Sequence, residues 1–172
     1  MLSHREVRPE DVHGICAFPQ SAEELFYLFP KASHPLTPDQ LRAAIAQRFD
    51  STVVLLDDRV CGFANFYVRV VSGTCAIGNV VVAPEARGRG AGRYLIETMI
   101  QKALVDHRAA EVRISCFNGN VGGLLLYGKL GFAPFAVEPR VDPRGARVAL
   151  VHMRLGEEAM SAYRQAARPP HA

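Results

Sequence analysis

One short stretch of this 172-residue chain combines residue types and spacing that could do chemistry. It runs Val80-Val81-Val82-Ala83-Pro84-Glu85-Ala86-Arg87-Gly88-Arg89-Gly90-Ala91-Gly92-Arg93. A β-branched run stops at a proline, passes through a basic, glycine-rich turn and opens into a helical pattern. Glycines let a ligand approach the backbone closely, and the first amides of a helix have no intrahelical acceptor. Those N–H groups sit at the positive end of a helix dipole, with Arg87, Arg89 and Arg93 around the same turn, and suit a phosphate or pyrophosphate.

These residues need a scaffold, and the chain supplies an alternating one. Strands are expected over residues 6–9, 52–56, 60–71, 76–82, 112–117, 132–137 and 147–155, the second to fourth forming an antiparallel meander. Helical patterns begin at Asp11, with a break near Pro19, and at Thr37-Pro38, a hydroxyl cap with proline in the first turn, reaching about Phe49. After the glycine turn, Leu95, Ile96, Met99, Ile100, Ala103 and Leu104 recur on one helical face. A further helix is expected over 120–130, although Gly122, Gly123 and Gly128 each cost about 1 kcal/mol in a helix interior. Three such costs hint at a close approach to that backbone. Residues 1–155 read as one domain and 156–172 as a tail with a short exposed helix, fraying at Arg168-Pro169-Pro170.

Composition narrows the classes. Hydrophobic residues make up 49% and charged residues 22%, which is too apolar for a disordered chain. The formal charge of +3 is small and carries no basic stripe with interleaved aromatics, so no nucleic-acid partner is expected. Cys16, Cys61, Cys75 and Cys116 lack metal-ligand spacing and read as buried, reduced thiols. No metal, signal peptide or membrane span is expected, which fits a cytoplasmic protein. The glycine turn also fails as a dinucleotide fingerprint, since Arg93 stands at the third glycine position, and it lacks the Gly-Lys-[Ser/Thr] of a nucleoside triphosphate loop.

What stands is Arg87-x-x-Gly90-x-Gly92 after a strand ending in Val82-Ala83-Pro84. With the downstream Asn120, Leu126-Tyr127, Lys129 and Gly131-Phe132, it resembles the GNAT superfamily of N-acetyltransferases, with Gly123 replacing that pattern's usual alanine. The likeness covers about residues 52–135. It implies an α/β (α+β) fold, a central mixed but mostly antiparallel twisted sheet flanked by helices, with strands splayed at the coenzyme site. It implies acetyl-CoA as cosubstrate: the backbone of Val80, Val81 and Val82 along the pantetheine arm, the turn amides (Gly88, Arg89, Gly90, Ala91, Gly92, Arg93) on the pyrophosphate, and Asn120 on the pantetheine or phosphates.

The resemblance further implies acetyl transfer to a small-molecule or peptide amine. A Val80 or Val82 amide would face the developing oxyanion, and Tyr127 would act as general acid toward the coenzyme A sulfur. The base stays open. Residues 77–79 offer no carboxylate; Asn79 could orient a water or the substrate, and His152, Glu23 or Glu24 are candidates beside an ordered water. Phe26, Tyr27, Phe29 and Asn118 are candidate substrate contacts, and the protein is expected as a monomer or homodimer. A non-catalytic acyl-CoA sensor of the same fold is the alternative.

Overall fold

A computed structural model describes residues 1–167. The elements follow in the order β1 (Leu2–Glu6), α1 (Val12–Cys16), α2 (Ala22–Leu28), α3 (Pro38–Ala46), β2 (Phe49–Leu56), β3 (Arg59–Arg69), β4 (Thr74–Val82), α4 (Ala91–Gln101), β5 (Glu111–Phe117), α5 (Val121–Lys129), β6 (Phe132–Val141), β7 (Arg147–Leu155) and α6 (Glu157–Ala166). The seven strands make one sheet in the order β1-β2-β3-β4-β5-β7-β6. Every neighbouring pair is antiparallel except β4 and β5. This is the mixed, mostly antiparallel sheet with flanking helices that the sequence led us to expect.

Local chemistry accounts for most boundaries. Thr37 caps α3, its hydroxyl accepting from Gln40 N at 3.3 Å, and Pro38 occupies the first turn. Asp57 and Asp58 both take positive φ in the turn between β2 and β3. Two expectations shift. The first strand is Leu2–Glu6 rather than 6–9, because Asp11 accepts from Arg8 N at 2.7 Å and folds the Arg8-Pro9 segment into a 3-10 turn. Likewise α3 stops at Ala46, and Phe49 already belongs to β2. The apolar face of α4 runs on through a wider π-helical turn, Lys102–Asp106, which buries Ala103 and Leu104. The tail helix is present as α6, and Arg168-Pro169-Pro170 lies outside the described residues.

The core covers both faces of the sheet, with α4 on one and the short helices α1 to α3 burying Ile15, Leu25 and Leu41 on the other. Leu95, Ile96, Met99 and Ile100 are fully enclosed with Phe63, Phe66, Val53 and Val54. Each such side chain contributes about 1.5–3 kcal/mol by leaving water, and truncation of Leu95 to alanine would cost about 2–5 kcal/mol. This packing makes α4 a rigid support for the turn at its N-terminus. Cys61, Cys75 and Cys116 are buried free thiols, while Cys16 is partly exposed.

Candidate active site

The parallel ladder between β4 and β5 is short. Thr74, Cys75, Ala76 and Ile77 pair with Glu111, Val112, Arg113 and Ile114, and there the pairing ends. Beyond Ile77 the β4 backbone has no strand on its β5 side among the described residues, although β4 runs on to Val82. The cause is a bulge. On the β3 side, Asn65 faces Gly78 and Phe63 faces Val81, so Asn79 and Val80 together oppose one residue. An extra residue bends a strand and increases its twist.

Asn79 makes that bend possible. Its φ of 49° is left-handed and costs a non-glycine residue energy unless neighbours hold it there. They do: Nδ2 donates to Leu28 O at 2.9 Å, and Oδ1 accepts from Asn65 Nδ2 at 3.1 Å. Asn65 in turn accepts from Arg48 at 3.2 Å. Both polar ends of the buried Asn79 amide are thus engaged by protein, and what it orients is the strand and the end of α2.

Below the opening, the turn takes the geometry its glycines allow. Gly88 and Gly90 have φ of 72° and 86°, and Gly90 is the N-terminal cap of α4. Arg89 N reaches Ala86 O, and Tyr94 N reaches Gly90 O. The amides of Gly88, Gly90, Ala91, Gly92 and Arg93 have no acceptor among the described residues. A β-carbon at Gly88 would meet nothing within 4 Å, so the start of the turn faces open space. The three arginines divide their work. Arg87 bonds Glu24, Val82 O and Phe18 O, tying the start of α2 to the turn. Arg93 pairs with Glu97 at 2.9 Å, and Arg89 has no ion pair among the described residues.

The opening is flanked on its β5 side by α5. Asn120 caps this helix, Oδ1 accepting from Gly123 N at 3.1 Å. Gly123 is required by that cap, since a β-carbon would stand 2.8 Å from Asn120 Nδ2 and 3.0 Å from Cys116 Sγ. Gly122 and Gly128, by contrast, face open space. Tyr127 is buried, with its ring edge-on to Phe132 at 6.3 Å. Its hydroxyl has no hydrogen-bond partner among the described residues, and it is not among the fully enclosed unpaired atoms. Burial, with Cys116 nearby, pushes the Tyr127 phenol well above its ordinary pKa, which holds it protonated at neutral pH. Burial likewise lifts the Cys116 thiol to about 12, so that sulfur stays a packing group.

Three aromatics and an asparagine border the far end. Phe26 stacks on Phe117 at 4.5 Å and Tyr27 lies 6.0 Å from the same ring. The Tyr27 hydroxyl donates to Glu23 at 2.9 Å, and Arg144 from the β6–β7 turn reaches that carboxylate at 3.4 Å. Phe29 packs in the core, away from this rim. Asn118 extends the sheet beyond β5, its N bonding Ala149 O at 2.9 Å and its Oδ1 accepting from Ala149 N at 3.0 Å. On the sheet face beside the end of the β4–β5 ladder, Tyr67, Arg113, Ser115, Phe135, His152 and Met153 line a cavity of about 230 Å³. Ser115 and Tyr67 escaped sequence reading. The signal was the alternation of β5, in which Ile114 and Cys116 turn inward and Ser115 outward.

An open strand edge, a turn of unpartnered amides and an unpaired phenol thus border one opening. Residues 18–132 match the model of the acetyltransferase (GNAT) family. The chain belongs to the GNAT family. A Bacillus subtilis relative described as the uncharacterized N-acetyltransferase YobR is 35% identical over 69 residues, which is 40% of this chain and 28% of that protein. The match therefore spans little more than a quarter of that relative's length.

Solved GNAT-like structures share the fold over nearly the whole chain. A spermidine N-acetyltransferase from Vibrio cholerae, solved with CoA and spermine, superposes with a TM-score of 0.77 at 16% identity, covering 93% of this chain and 98% of that one. The ribosomal-protein-S18-alanine N-acetyltransferase of Escherichia coli gives 0.70 at 18% identity, over 91% and 97%. The Salmonella typhimurium protein yncA, solved with its cofactor acetyl-CoA, gives 0.71 at 20% identity, over 90% and 92%. Among the described residues, no helix is long and apolar enough to cross a membrane.

Proposed function

We propose that the protein is an N-acetyltransferase that moves the acetyl group of acetyl-CoA to a primary amine by direct attack. The observation that carries this reading is the β4 edge left open beyond Ile77, directly before the turn of unpartnered amides. Backbone groups of Val80, Val81 and Val82 would take the pantetheine arm as an added strand, and the amides of Gly88, Gly90, Ala91, Gly92 and Arg93 would hold the pyrophosphate. Asn120 borders the same opening. Bound there, acetyl-CoA supplies an activated thioester.

The chain supplies three further contributions. An N–H of Val80 or Val82 aimed at the acetyl oxygen gives preorganised electrostatic stabilisation. Tyr127, held protonated by burial and lacking a protein partner for its hydroxyl, donates toward the coenzyme A sulfur. Phe26 and Tyr27 form an aromatic end wall for the acceptor, with Asn118 fixing the neighbouring strand. The small net charge and mixed rim favour a small-molecule or peptide amine as partner.

The alternative of an acyl-CoA sensor has one specific observation behind it. The β4 segment offers no carboxylate as base, and the Asn79 amide is occupied within the protein. One experiment separates the two: acetyl-CoA-dependent thiol release across polyamines, amino acids, aminoglycosides and peptide N-termini, with thermal shift by acetyl-CoA in parallel. Turnover with any amine supports the transferase. Stabilisation with no turnover favours the sensor, and the absence of both responses removes the coenzyme assignment.

A further inference from the structure

A line of polar side chains crosses three strands at the end of the β4–β5 ladder. Ser115 is the first β5 residue beyond the last pair, Ile77 and Ile114, and its register partner on β7 is His152. Ser115 Oγ lies 2.8 Å from His152 Nδ1, and His152 Nε2 lies 3.0 Å from Glu138 Oε2 on β6. The other Glu138 oxygen accepts from Arg140 at 2.8 Å. Glu138 is held below its ordinary pKa, by its hydrogen bond from His152 first and by Arg140 second, and is ionised at neutral pH. An ionised carboxylate only accepts, so Nε2 carries the imidazole hydrogen and Nδ1 is left to accept from the Ser115 hydroxyl.

The serine end of the line opens into the cavity of about 230 Å³. The other groups facing His152 are few. Tyr67 comes from β3, its hydroxyl 3.4 Å from Ser115 Oγ. Phe135 comes from β6, its ring 6.2 Å from the imidazole, and carries the guanidinium groups of Arg113 (β5) and Arg154 (β7) over it at 5.1 and 5.5 Å. Arg113 is itself paired with Glu111 at 2.8 Å. Glu138 is therefore the only carboxylate bonded to the imidazole among the described residues.

We infer that Ser115 and His152 form the proton relay that deprotonates the acceptor amine, with Glu138 as the positioning residue behind it. The inference rests on the acetyltransferase reading and fills the role of base that β4 leaves vacant. An ammonium in the cavity gives one proton to Ser115 Oγ while the hydroxyl proton of Ser115 passes to His152 Nδ1. The products of this step are a neutral amine and an imidazolium facing the Glu138 carboxylate. The amine lone pair then forms the N–C bond to the acetyl carbon as the C–S bond breaks. The second proton lost by nitrogen balances the one that Tyr127 gives to the departing thiolate. The imidazolium proton returns to solvent, to which the His152 side chain is 27% exposed.

The test is the pH profile of kcat/KM for the wild type, Ser115→Ala, His152→Gln and Glu138→Gln, using the fastest amine of the panel. Acetyl-CoA affinity is measured by calorimetry on the same proteins. At pH 7 the Ser115 and His152 variants should lose about 10²-fold or more, with Glu138→Gln between them and wild type. Their deficit should shrink as pH rises toward the amine's own pKa, because the substrate then arrives neutral. Acetyl-CoA affinity should stay within about twofold, and added imidazole should restore activity to His152→Gly.

A deficit that is constant across pH, or variants as fast as wild type, would overturn the relay and leave the transferase standing. Recovery of an acetylated Ser115 peptide would overturn it in favour of a covalent route. A wild type that binds acetyl-CoA yet acetylates no amine would overturn the transferase reading, and the relay with it.

Discussion

Gly78 lies directly against Arg48: a β-carbon at that position would stand 2.5 Å from Arg48 Nη1 and 2.8 Å from Tyr67 Cδ1. The guanidinium also stacks over the Tyr67 ring at 5.6 Å and bonds Asn65. The missing side chain at the first unpaired position of β4 is what lets these groups lie flat over the bulge. Gly78→Ala should displace both, costing about 1–3 kcal/mol as an overpacking change. Urea unfolding measures that cost, and a variant as stable as wild type would show that the contact relaxes freely.

Gly90→Glu should abolish acetyl-CoA binding. The residue caps α4 at a φ of 86°, where an L side chain is strained by about 1–2 kcal/mol, and a carboxylate there opposes a phosphate. Calorimetry should find affinity reduced beyond tenfold. Unchanged affinity would remove the turn as the phosphate site.

Tyr127→Phe keeps the buried ring and its contact with Phe132 while deleting the hydroxyl. The expected result is a kcat about 10²-fold lower with acetyl-CoA affinity unchanged, within the range for loss of a general acid. Full activity would assign Tyr127 to packing alone.

Asp11 predicts how stability depends on acid. Its carboxylate accepts from Arg5 Nη1 at 2.6 Å, from Arg5 Nη2 at 2.8 Å and from Arg8 N. The Arg5 hydrogen bond is the largest cause holding its pKa below the ordinary value, so the folded protein binds its proton less readily than the unfolded chain. That stabilisation is present above the ordinary carboxylate pKa and is lost as pH falls through the depressed one. Asp11→Ala should cost about 3 kcal/mol near neutrality, at the low end for breaking a buried pair because Arg5 keeps some solvent contact. The difference between the two proteins should narrow as pH falls through the depressed Asp11 pKa, where the wild type loses the charge as well. Urea midpoints across pH 2–7 give the comparison.

The conformation of the glycine turn was legible because its chemistry is local. Val80 to Arg93 carries strand, breaker, glycines and helix in a row, and Gly88 and Gly90 adopt the positive φ such a turn needs. The same holds for Asn120, a helix cap within sight of the helix it starts. The line from Ser115 through His152 to Glu138 was illegible because it depends on register. Period-two alternation tells which residues share a face, and says nothing of how far one strand slides against the next. Here the β6–β7 ladder slips between Pro134 and Ala136, which moves Glu138 within reach of His152. The role of Asn79 was hidden similarly, since its partners Leu28 and Asn65 come from distant segments. The early placement of the first strand failed for a plainer reason: the hydrogen bond from Arg8 to Asp11 folds residues whose composition also suits an extended segment.

One edge of the sheet bears on how molecules of this protein meet each other. Strand β6 is the last in the order, and Val137 and Val141 on it are exposed. An exposed apolar edge would ordinarily invite another chain to add a strand, in growth that has no natural stopping point. Pro134 and Pro139 deny that template two of its amide donors, and Glu138 and Arg140 place charges between them. This edge of the sheet is thereby a poor template for a strand from another molecule.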